Sequence, residues 1–294
     1  MSQPRPTTDH QPSTDAARVA WQDAPTRTLE VSGVRFRYRE LGPRGGVPVV
    51  FLHHLTAVLD DWDPRVVDGL AAHHHVITFD NRGVGGSSGS VPSTVQEMAA
   101  DAAMFIRGLG HEKVDLLGFS LGGGVAQFVT LQNPDLVRKA IFTGTGPAGA
   151  GGLDKMVRIA GLAYLKAALT FSDPRNFLFF PRTPEGRRAA KAYLTRLKER
   201  TADRDERISL QAMGAQLRAI VDAGRQQPQD LGVIDKPVLV ANGDADLMVA
   251  SEHSADIARR IPGAQLVIYP GSGHGGIFQY HEQFVPTALA FLAS

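Results

Sequence analysis

Short, continuous apolar runs that alternate with amphipathic segments are the feature that most constrains the fold of this chain. Val47–Leu52, Val76–Phe79 and Val114–Leu117 are such runs, rich in β-branched residues. Runs of this kind are typical of strands buried on both faces, as in a parallel sheet. Helix-like segments lie between them, for example Val95–Leu109, for which Thr94 is a candidate N-cap. The alternation therefore predicts an α/β fold: a mostly parallel sheet with helices on both faces.

A long helical stretch between two blocks of strands predicts an inserted cap. Residues 148–232 carry amphipathic patterns without a strand signal, whereas the strands fall in 27–147 and 233–294. The second block alone supplies only two strands, so an insertion into one core domain explains the pattern better than a separate domain. Residues 151–232 hold 15 Lys and Arg against nine Asp and Glu, which indicates either solvated helix faces or a preference for acidic substrates. The polar, proline-bearing residues 1–26 are predicted to form a mobile tail.

The composition excludes several classes of protein and site. The chain has 31 Lys and Arg against 30 Asp and Glu, so we expect neither a nucleic-acid partner nor an anionic membrane surface. It has no cysteine, which excludes disulfides, Cys-ligated zinc, iron–sulfur clusters and thiol catalysis. No apolar segment follows Met1, and no run approaches the roughly 18 apolar residues of a membrane span. We therefore expect a cytoplasmic protein.

One apolar run leads directly into a Gly-x-Ser-x-Gly sequence. Val114–Leu117 precedes Gly118-Phe119-Ser120-Leu121-Gly122, and a helical pattern follows. This context is typical of a nucleophile elbow, in which the serine occupies a tight, strained turn above the sheet. Side chains at Gly118 and Gly122 would collide across such a turn. Ser120 is therefore the candidate nucleophile.

A serine nucleophile needs a base, and the base needs an acid that orients it. In sheets of this architecture the order along the chain is serine, acid, histidine. His274 lies in a glycine-rich loop directly after the last strand, whereas His253 and His281 lie within predicted helices, so His274 is the candidate base. The loop after the penultimate strand offers Asp244 and Asp246. We favour Asp246 as the acid and assign Asp244 to stabilising the turn.

These marks resemble those of the α/β-hydrolase fold serine hydrolases. The matching segments are Asp80-Asn81-Arg82-Gly83-Val84-Gly85-Gly86-Ser87, Gly118–Gly122, Gly243-x-x-Asp246-x-x-Val249 and Gly273-His274. The resemblance covers roughly residues 27–294 and implies a helical cap over the pocket. Within the family, the chain is most similar to haloperoxidase- and perhydrolase-like esterases, enol-lactone hydrolases and carbon–carbon bond hydrolases.

The resemblance also implies an oxyanion hole made of two backbone N–H groups. These belong to Leu121, which follows the nucleophile, and to Leu55, in the loop after the Val47–Leu52 strand. Most relatives carry His-Gly in that loop, whereas this chain has His53-His54. A Cβ at that position can reshape the turn, in which case Thr56 would supply the donor. Adjacent side chains seldom converge on one ion, so we expect no metal at His53-His54.

Candidate substrate-binding residues flank these loops and lie in the cap. They are mostly apolar, and we assign this role to His54, Trp62, Phe119, Phe179, Met248 and Ile277. Their character predicts a largely apolar substrate.

Acyl transfer to Ser120 is the chemistry that fits these residues. We expect a small to medium carboxylic ester or lactone to be cleaved through an acyl-enzyme. Relatives that open epoxides or release halide carry Asp at the elbow, whereas this chain carries Ser120. Phosphate- and dinucleotide-binding motifs are absent from the sequence, so no organic cofactor is expected. Three alternatives stay open: a carbon–carbon bond hydrolase, a perhydrolase, and a small-molecule receptor with little turnover. The expected partner is the small-molecule substrate, with a homo-oligomer possible in addition.

Overall fold

Eight strands form one sheet in the computed structural model of this protein, which describes residues 19–151 and 153–294, without the side chains of 153 and 154. The strand order is β1-β2-β4-β3-β5-β6-β7-β8. β1 with β2 and β2 with β4 are antiparallel, and the other neighbours are parallel. The mostly parallel α/β sheet is thus confirmed. The strands are β1 (Arg27–Val31), β2 (Val34–Leu41), β3 (Val49–Leu52), β4 (Val76–Phe79), β5 (Val114–Phe119), β6 (Val137–Thr143), β7 (Val238–Gly243) and β8 (Gln265–Tyr269).

Helices cover both faces of this sheet. Successive strand residues point to opposite faces, so Val49 and Phe51 of β3 join one hydrophobic core cluster, whereas Val50 and Leu52 join a second cluster on the opposite face. Within the described residues, no helix combines the length and the hydropathy that a membrane crossing requires. The α-helices are α1 (Pro64–Ala71), α2 (Val95–Gly108), α3 (Leu121–Gln132), α4 (Leu153–Leu169), α5 (Arg175–Leu178), α6 (Pro184–Arg196), α7 (Leu210–Arg225), α8 (Ser251–Arg260), α9 (Gly276–Gln279) and α10 (His281–Ala293), and short 3-10 helices span Trp21–Asp23, Leu59–Asp61 and Leu231–Val233.

Two helix starts show how local chemistry sets the boundaries. Thr94 caps α2, as predicted, because its hydroxyl accepts the N–H of Glu97 at 3.1 Å while the Glu97 carboxylate accepts the N–H of Thr94. α3 begins at Leu121, directly after Ser120. The apolar pattern becomes regular only at Val125, since three glycines in a row weaken the helix signal before that residue.

The segment between β6 and β7 contains helices α4 to α7 and, in its described part, no strand. Charged side chains fasten it to the core. Arg196 of α6 donates from Nε and from a terminal nitrogen to the two carboxylate oxygens of Asp63, at 2.8 and 2.5 Å, and the Asp63 side chain is fully buried. Arg175 of α5 reaches Asp61. Such bidentate, charge-assisted bonds fix both distance and orientation.

The loop between α6 and α7 provides a second attachment through paired carboxyl groups. The N–H of Asp205 donates to Asp60 at 2.8 Å, and the Asp205 side chain faces the fully buried Asp80 at the end of β4. Burial raises the pKa of Asp80 well above its usual value, and the neighbouring Asp205 carboxyl raises it further. Burial and the neighbouring carboxyl group therefore both favour the protonated form of Asp80.

The segment before β1 corrects one prediction. Trp21 is only 2% exposed within the core cluster, and its backbone N–H donates to the Asp68 carboxylate at 2.6 Å. Arg200 donates to the carbonyl of Ala24 at 2.9 Å. The prediction of a mobile tail over residues 1–26 is therefore wrong for 19–26, where one buried indole outweighs the polar composition. Residues 1–18 lie outside the described part of the chain.

Candidate active site

Ser120 lies on the turn between β5 and α3 with a strained backbone. Its φ is 57° and its ψ is −115°, a region that residues other than glycine rarely adopt. Its N–H donates to the carbonyl of Thr143 at 2.8 Å, which ties the turn to β6. A Cβ on Gly118 would lie 2.3 Å from the carbonyl oxygen of Gly122, and a Cβ on Gly122 would lie 2.0 Å from that of Leu52. Both positions therefore require glycine, as the sequence predicts.

Asp246 and His274 form a hydrogen-bonded pair on the loops after β7 and β8. Asp246 Oδ2 lies 2.7 Å from His274 Nδ1, and Oδ1 accepts the N–H groups of Met248 and Val249 at 2.7 and 3.0 Å. Both side chains of the pair are almost fully buried, whereas Asp244 is exposed. Because a carboxylate only accepts, Nδ1 carries the proton and Nε2 keeps its lone pair free for a base role.

The carboxyl ends of β5 to β8 bring Ser120 and His274 to one edge of the sheet. These strands are neighbours in parallel register, and the His274 ring centroid lies 5.0 Å from that of Phe119, the residue before Ser120. Both residues lie in the described part of the chain, and no hydrogen bond joins the Ser120 hydroxyl to His274. Such bonds are often long without substrate and shorten in the reacting complex.

The turn after β3 carries Leu55, one of the two residues expected to supply an oxyanion donor. Among the described residues, neither the N–H of Leu55 nor that of Leu121 has a protein acceptor. The N–H of Thr56 donates to Gln216 Oε1 at 2.8 Å, so the alternative that Thr56 supplies the oxyanion donor is wrong. The residue with a left-handed backbone in this turn is Thr56, whose φ is 67°, and His54 does not have a positive φ. The turn thus accommodates a histidine where relatives carry glycine.

His54 is a buried, neutral side chain beside the site. Burial lowers its pKa to about 4. Its Nδ1 donates to the Leu55 carbonyl at 2.8 Å, and its ring packs edge-on against Phe119 and Phe179, at 5.4 and 5.2 Å between centroids. No group of three or more side chains suited to a metal ion occurs in the described part of the chain. His54 therefore shapes the site as an aromatic ring, with Nε2 as a buried acceptor without a protein partner.

A mainly apolar cavity of about 110 Å³ opens at Ser120. Of the predicted substrate-binding residues, Met248 lines it. Gln127, Ile220 and His253 also line it, although no local pattern in the sequence selects them for the site. Further lining residues include Leu121, Phe128, Leu131, Thr145, Pro147, Met156, Ala223 and Val249.

The other predicted substrate-binding residues do not line this cavity, and their assignment stays a prediction. Trp62, Phe119, Phe179 and Ile277 are buried in the core cluster and do not line the cavity at Ser120. The Phe119 and Phe179 rings pack against the His274 ring instead, so they help to fix its orientation. His54 lines a separate cleft of about 1060 Å³ between the turn after β3 and the helices α4, α6 and α7.

Comparisons with known proteins identify the family of this chain. The α/β hydrolase fold family matches residues 47–279. The chain is 30% identical over 285 residues to a non-heme chloroperoxidase from Streptomyces lividans, covering 89% of this chain and 97% of that one. It is 28% identical to a bifunctional esterase/perhydrolase from Acinetobacter calcoaceticus, over 89% and 97% of the two chains. A solved α/β hydrolase fold protein from Chitinophaga pinensis superposes with a TM-score of 0.90 at 39% identity, over 94% and 99% of the two chains. The chain belongs to the α/β hydrolase fold family.

Proposed function

We propose that this protein is a serine hydrolase that cleaves small carboxylic esters or lactones through an acyl-enzyme on Ser120. One observation carries the proposal. A buried Asp246–His274 pair, 2.7 Å between oxygen and nitrogen, lies at the same sheet edge as a serine in a strained elbow. Either feature alone has structural explanations, whereas their coincidence is the arrangement of a catalytic triad. A receptor without turnover would need neither a free Nε2 nor its oriented ring.

The proposed reaction has two half-reactions. Ser120 Oγ attacks the carbonyl carbon as His274 Nε2 takes its proton, and Asp246 stabilises the resulting imidazolium. The N–H groups of Leu55 and Leu121 hold the oxyanion. The tetrahedral intermediate collapses, the bond to the leaving oxygen breaks, and His274 returns the proton to that oxygen. Water then attacks the acyl-enzyme with the same proton transfers, which releases the acid and restores the serine.

The size of the cavity favours short acyl groups. An apolar cavity of about 150 Å³ is known to hold benzene, and the cavity at Ser120 measures about 110 Å³. Its walls are mostly apolar, so it suits an acyl chain of roughly four to five carbons. Long-chain esters would have to displace α7 or the loop after β6.

The test is a panel of p-nitrophenyl esters from acetate to decanoate together with simple lactones. We expect kcat/KM to be highest near butyrate, and Ser120→Ala to lose at least about 10³-fold. Ser272→Ala is the matched control, because the hydroxyl of that buried serine donates to the Tyr269 carbonyl at 3.0 Å and lies outside the proposed triad. Full activity of Ser120→Ala would overturn the proposal.

Perhydrolysis is a second candidate, which the similarity to an esterase/perhydrolase favours. The acyl-enzyme would react with hydrogen peroxide instead of water, so that Ser120 is released and a peracid forms. Incubation with acetate ester and peroxide, followed by oxidation of bromide, measures the peracid. A signal that disappears in Ser120→Ala would support this activity, and its absence in the wild-type enzyme would exclude it.

A further inference from the structure

A buried side chain of the cap accepts a backbone N–H of the turn that carries the proposed oxyanion donor, and the Tyr164 hydroxyl of α4 lies 3.4 Å from the Thr56 hydroxyl of the same turn. Gln216, on helix α7, is only 1% exposed, and its Oε1 accepts the N–H of Thr56 at 2.8 Å. The two residues are 160 positions apart in the sequence. The contact therefore forms only when the cap helices pack against the core.

The hydrogen bonds within the turn do not involve the N–H of its strained residue, Thr56, so this group needs an acceptor from elsewhere in the chain. Thr56 has a φ of 67°, which a β-branched residue adopts at a cost and keeps only where its surroundings impose it. The His54 ring donates to the Leu55 carbonyl, and the N–H of Ala57 donates to the His54 carbonyl at 3.2 Å. Neither bond involves the N–H of Thr56. Within the described part of the chain, Gln216 is the acceptor that fixes the Leu55–Thr56 peptide.

The same helix forms a wall of the cavity at Ser120. Ile220 and Ala223, one and two turns further along α7, line that cavity. An acyl group bound there contacts the helix that holds the turn. The position of α7 thus links occupancy of the cavity to the geometry of the oxyanion turn.

We infer that Gln216 is a positioning residue for the oxyanion hole. By accepting the N–H of Thr56, it keeps the neighbouring N–H of Leu55 directed at the carbonyl oxygen of the substrate. The inference rests on the proposed function and deepens it. Its consequence is that the cap contributes to the chemical step as well as to substrate binding.

Gln216→Met tests the inference by removing the acceptor at nearly unchanged size. We expect kcat for p-nitrophenyl butyrate to fall by about 10- to 100-fold with KM within threefold, since a misplaced donor acts on the transition state. The affinity for a boronic acid, whose serine adduct is tetrahedral, should fall by a similar factor. The Nε2 of Gln216 is buried without a protein partner, so its removal should leave Tm within a few degrees. Gln216→Glu retains an acceptor oxygen and should restore most of kcat.

The matched control is Gln96→Met, which removes another amide–amide bond between core and cap, from Gln96 to Gln226. It should leave kcat and boronate affinity within twofold. In a Thr56→Gly background, where the φ of 67° is no longer strained, Gln216→Met should cost less than in the wild-type enzyme. This comparison decides the matter even where Gln216→Met alone is poorly stable.

Three results would overturn the inference: kcat of Gln216→Met within threefold, a loss confined to KM, or an equal loss in Gln96→Met. A wild-type enzyme that neither hydrolyses esters nor binds the boronate would refute the proposed function itself. That outcome is distinguishable because it appears before any variant is made.

Discussion

Replacing Asp246 by asparagine keeps the shape of the side chain and changes only what it offers to His274. Oδ1 of Asp246 accepts the N–H groups of Met248 and Val249, so the asparagine oxygen will take that side. The asparagine nitrogen then faces His274 Nδ1, 2.7 Å from the present oxygen. It donates a hydrogen there, which forces the imidazole proton onto Nε2. A protonated Nε2 cannot accept the proton of Ser120.

The expected loss in kcat is about 10³- to 10⁴-fold, by analogy with the wrong-tautomer effect in other serine hydrolases. At about 1.36 kcal/mol for each tenfold change, this corresponds to about 4–5.5 kcal/mol in the activation free energy. Because the substitution preserves both backbone hydrogen bonds, Tm should change little. The assay is initial-rate hydrolysis of p-nitrophenyl butyrate, with the thermal transition measured on the same preparations.

Asp244→Asn is the control, because Asp244 lies exposed on the same loop. It should keep kcat within twofold. The reasoning would be refuted if Asp244→Asn lost activity while Asp246→Asn did not, or if Asp246→Asn stayed within tenfold of the wild-type enzyme with an unchanged thermal transition.

Three further predictions follow from contacts of the cap. Ala223→Phe fills the cavity at Ser120, so kcat/KM for the hexanoate ester should fall at least about tenfold and that for acetate less than threefold; equal losses would contradict the cavity assignment. Burial and the neighbouring Asp205 carboxyl raise the pKa of Asp80, so the stability contributed by its neutral form is lost as pH rises through that pKa. Asp205→Asn removes that carboxyl and should show a smaller fall in Tm between about pH 5 and about pH 9; an unchanged pH profile would show that Asp205 does not raise the pKa of Asp80. Arg196→Met leaves the buried Asp63 without its ion-pair partner and should lower the free energy of unfolding by about 3–5 kcal/mol in urea titrations, whereas a change below about 1 kcal/mol would show that the pair contributes little.

The sheet and the elbow could be predicted from the sequence because their signals are local. All four residues of β3 are buried, which a continuous apolar run encodes directly. The Gly-x-Ser-x-Gly pattern is a short, local motif, although Gly118 is required by a contact across the turn and Gly122 by the carbonyl of Leu52 on the neighbouring strand β3. Ser120, Asp246 and His274 each follow a predicted strand, and their order along the chain matches the order expected for this architecture.

The residues that line the cavity could not be predicted in the same way. Phe119 lies next to Ser120 in sequence, yet its ring packs beneath His274, because neighbouring residues at a strand end point in different directions. Gln216 and Ile220 approach the site from a helix of the cap, and no local pattern relates that helix to the turn after β3. Trp21 likewise packs in the core, although the N-terminal segment around it is rich in polar residues and proline. Such contacts depend on tertiary docking.

The central claim, that Ser120 is an activated nucleophile, is tested most directly by intact-mass analysis after brief exposure to a fluorophosphonate probe, followed by peptide mapping. We expect a single adduct on Ser120, no adduct in Ser120→Ala, and much slower labelling in His274→Ala, because the base that accepts the serine proton is then missing. An adduct on another residue, or equally fast labelling without His274, would contradict the claim.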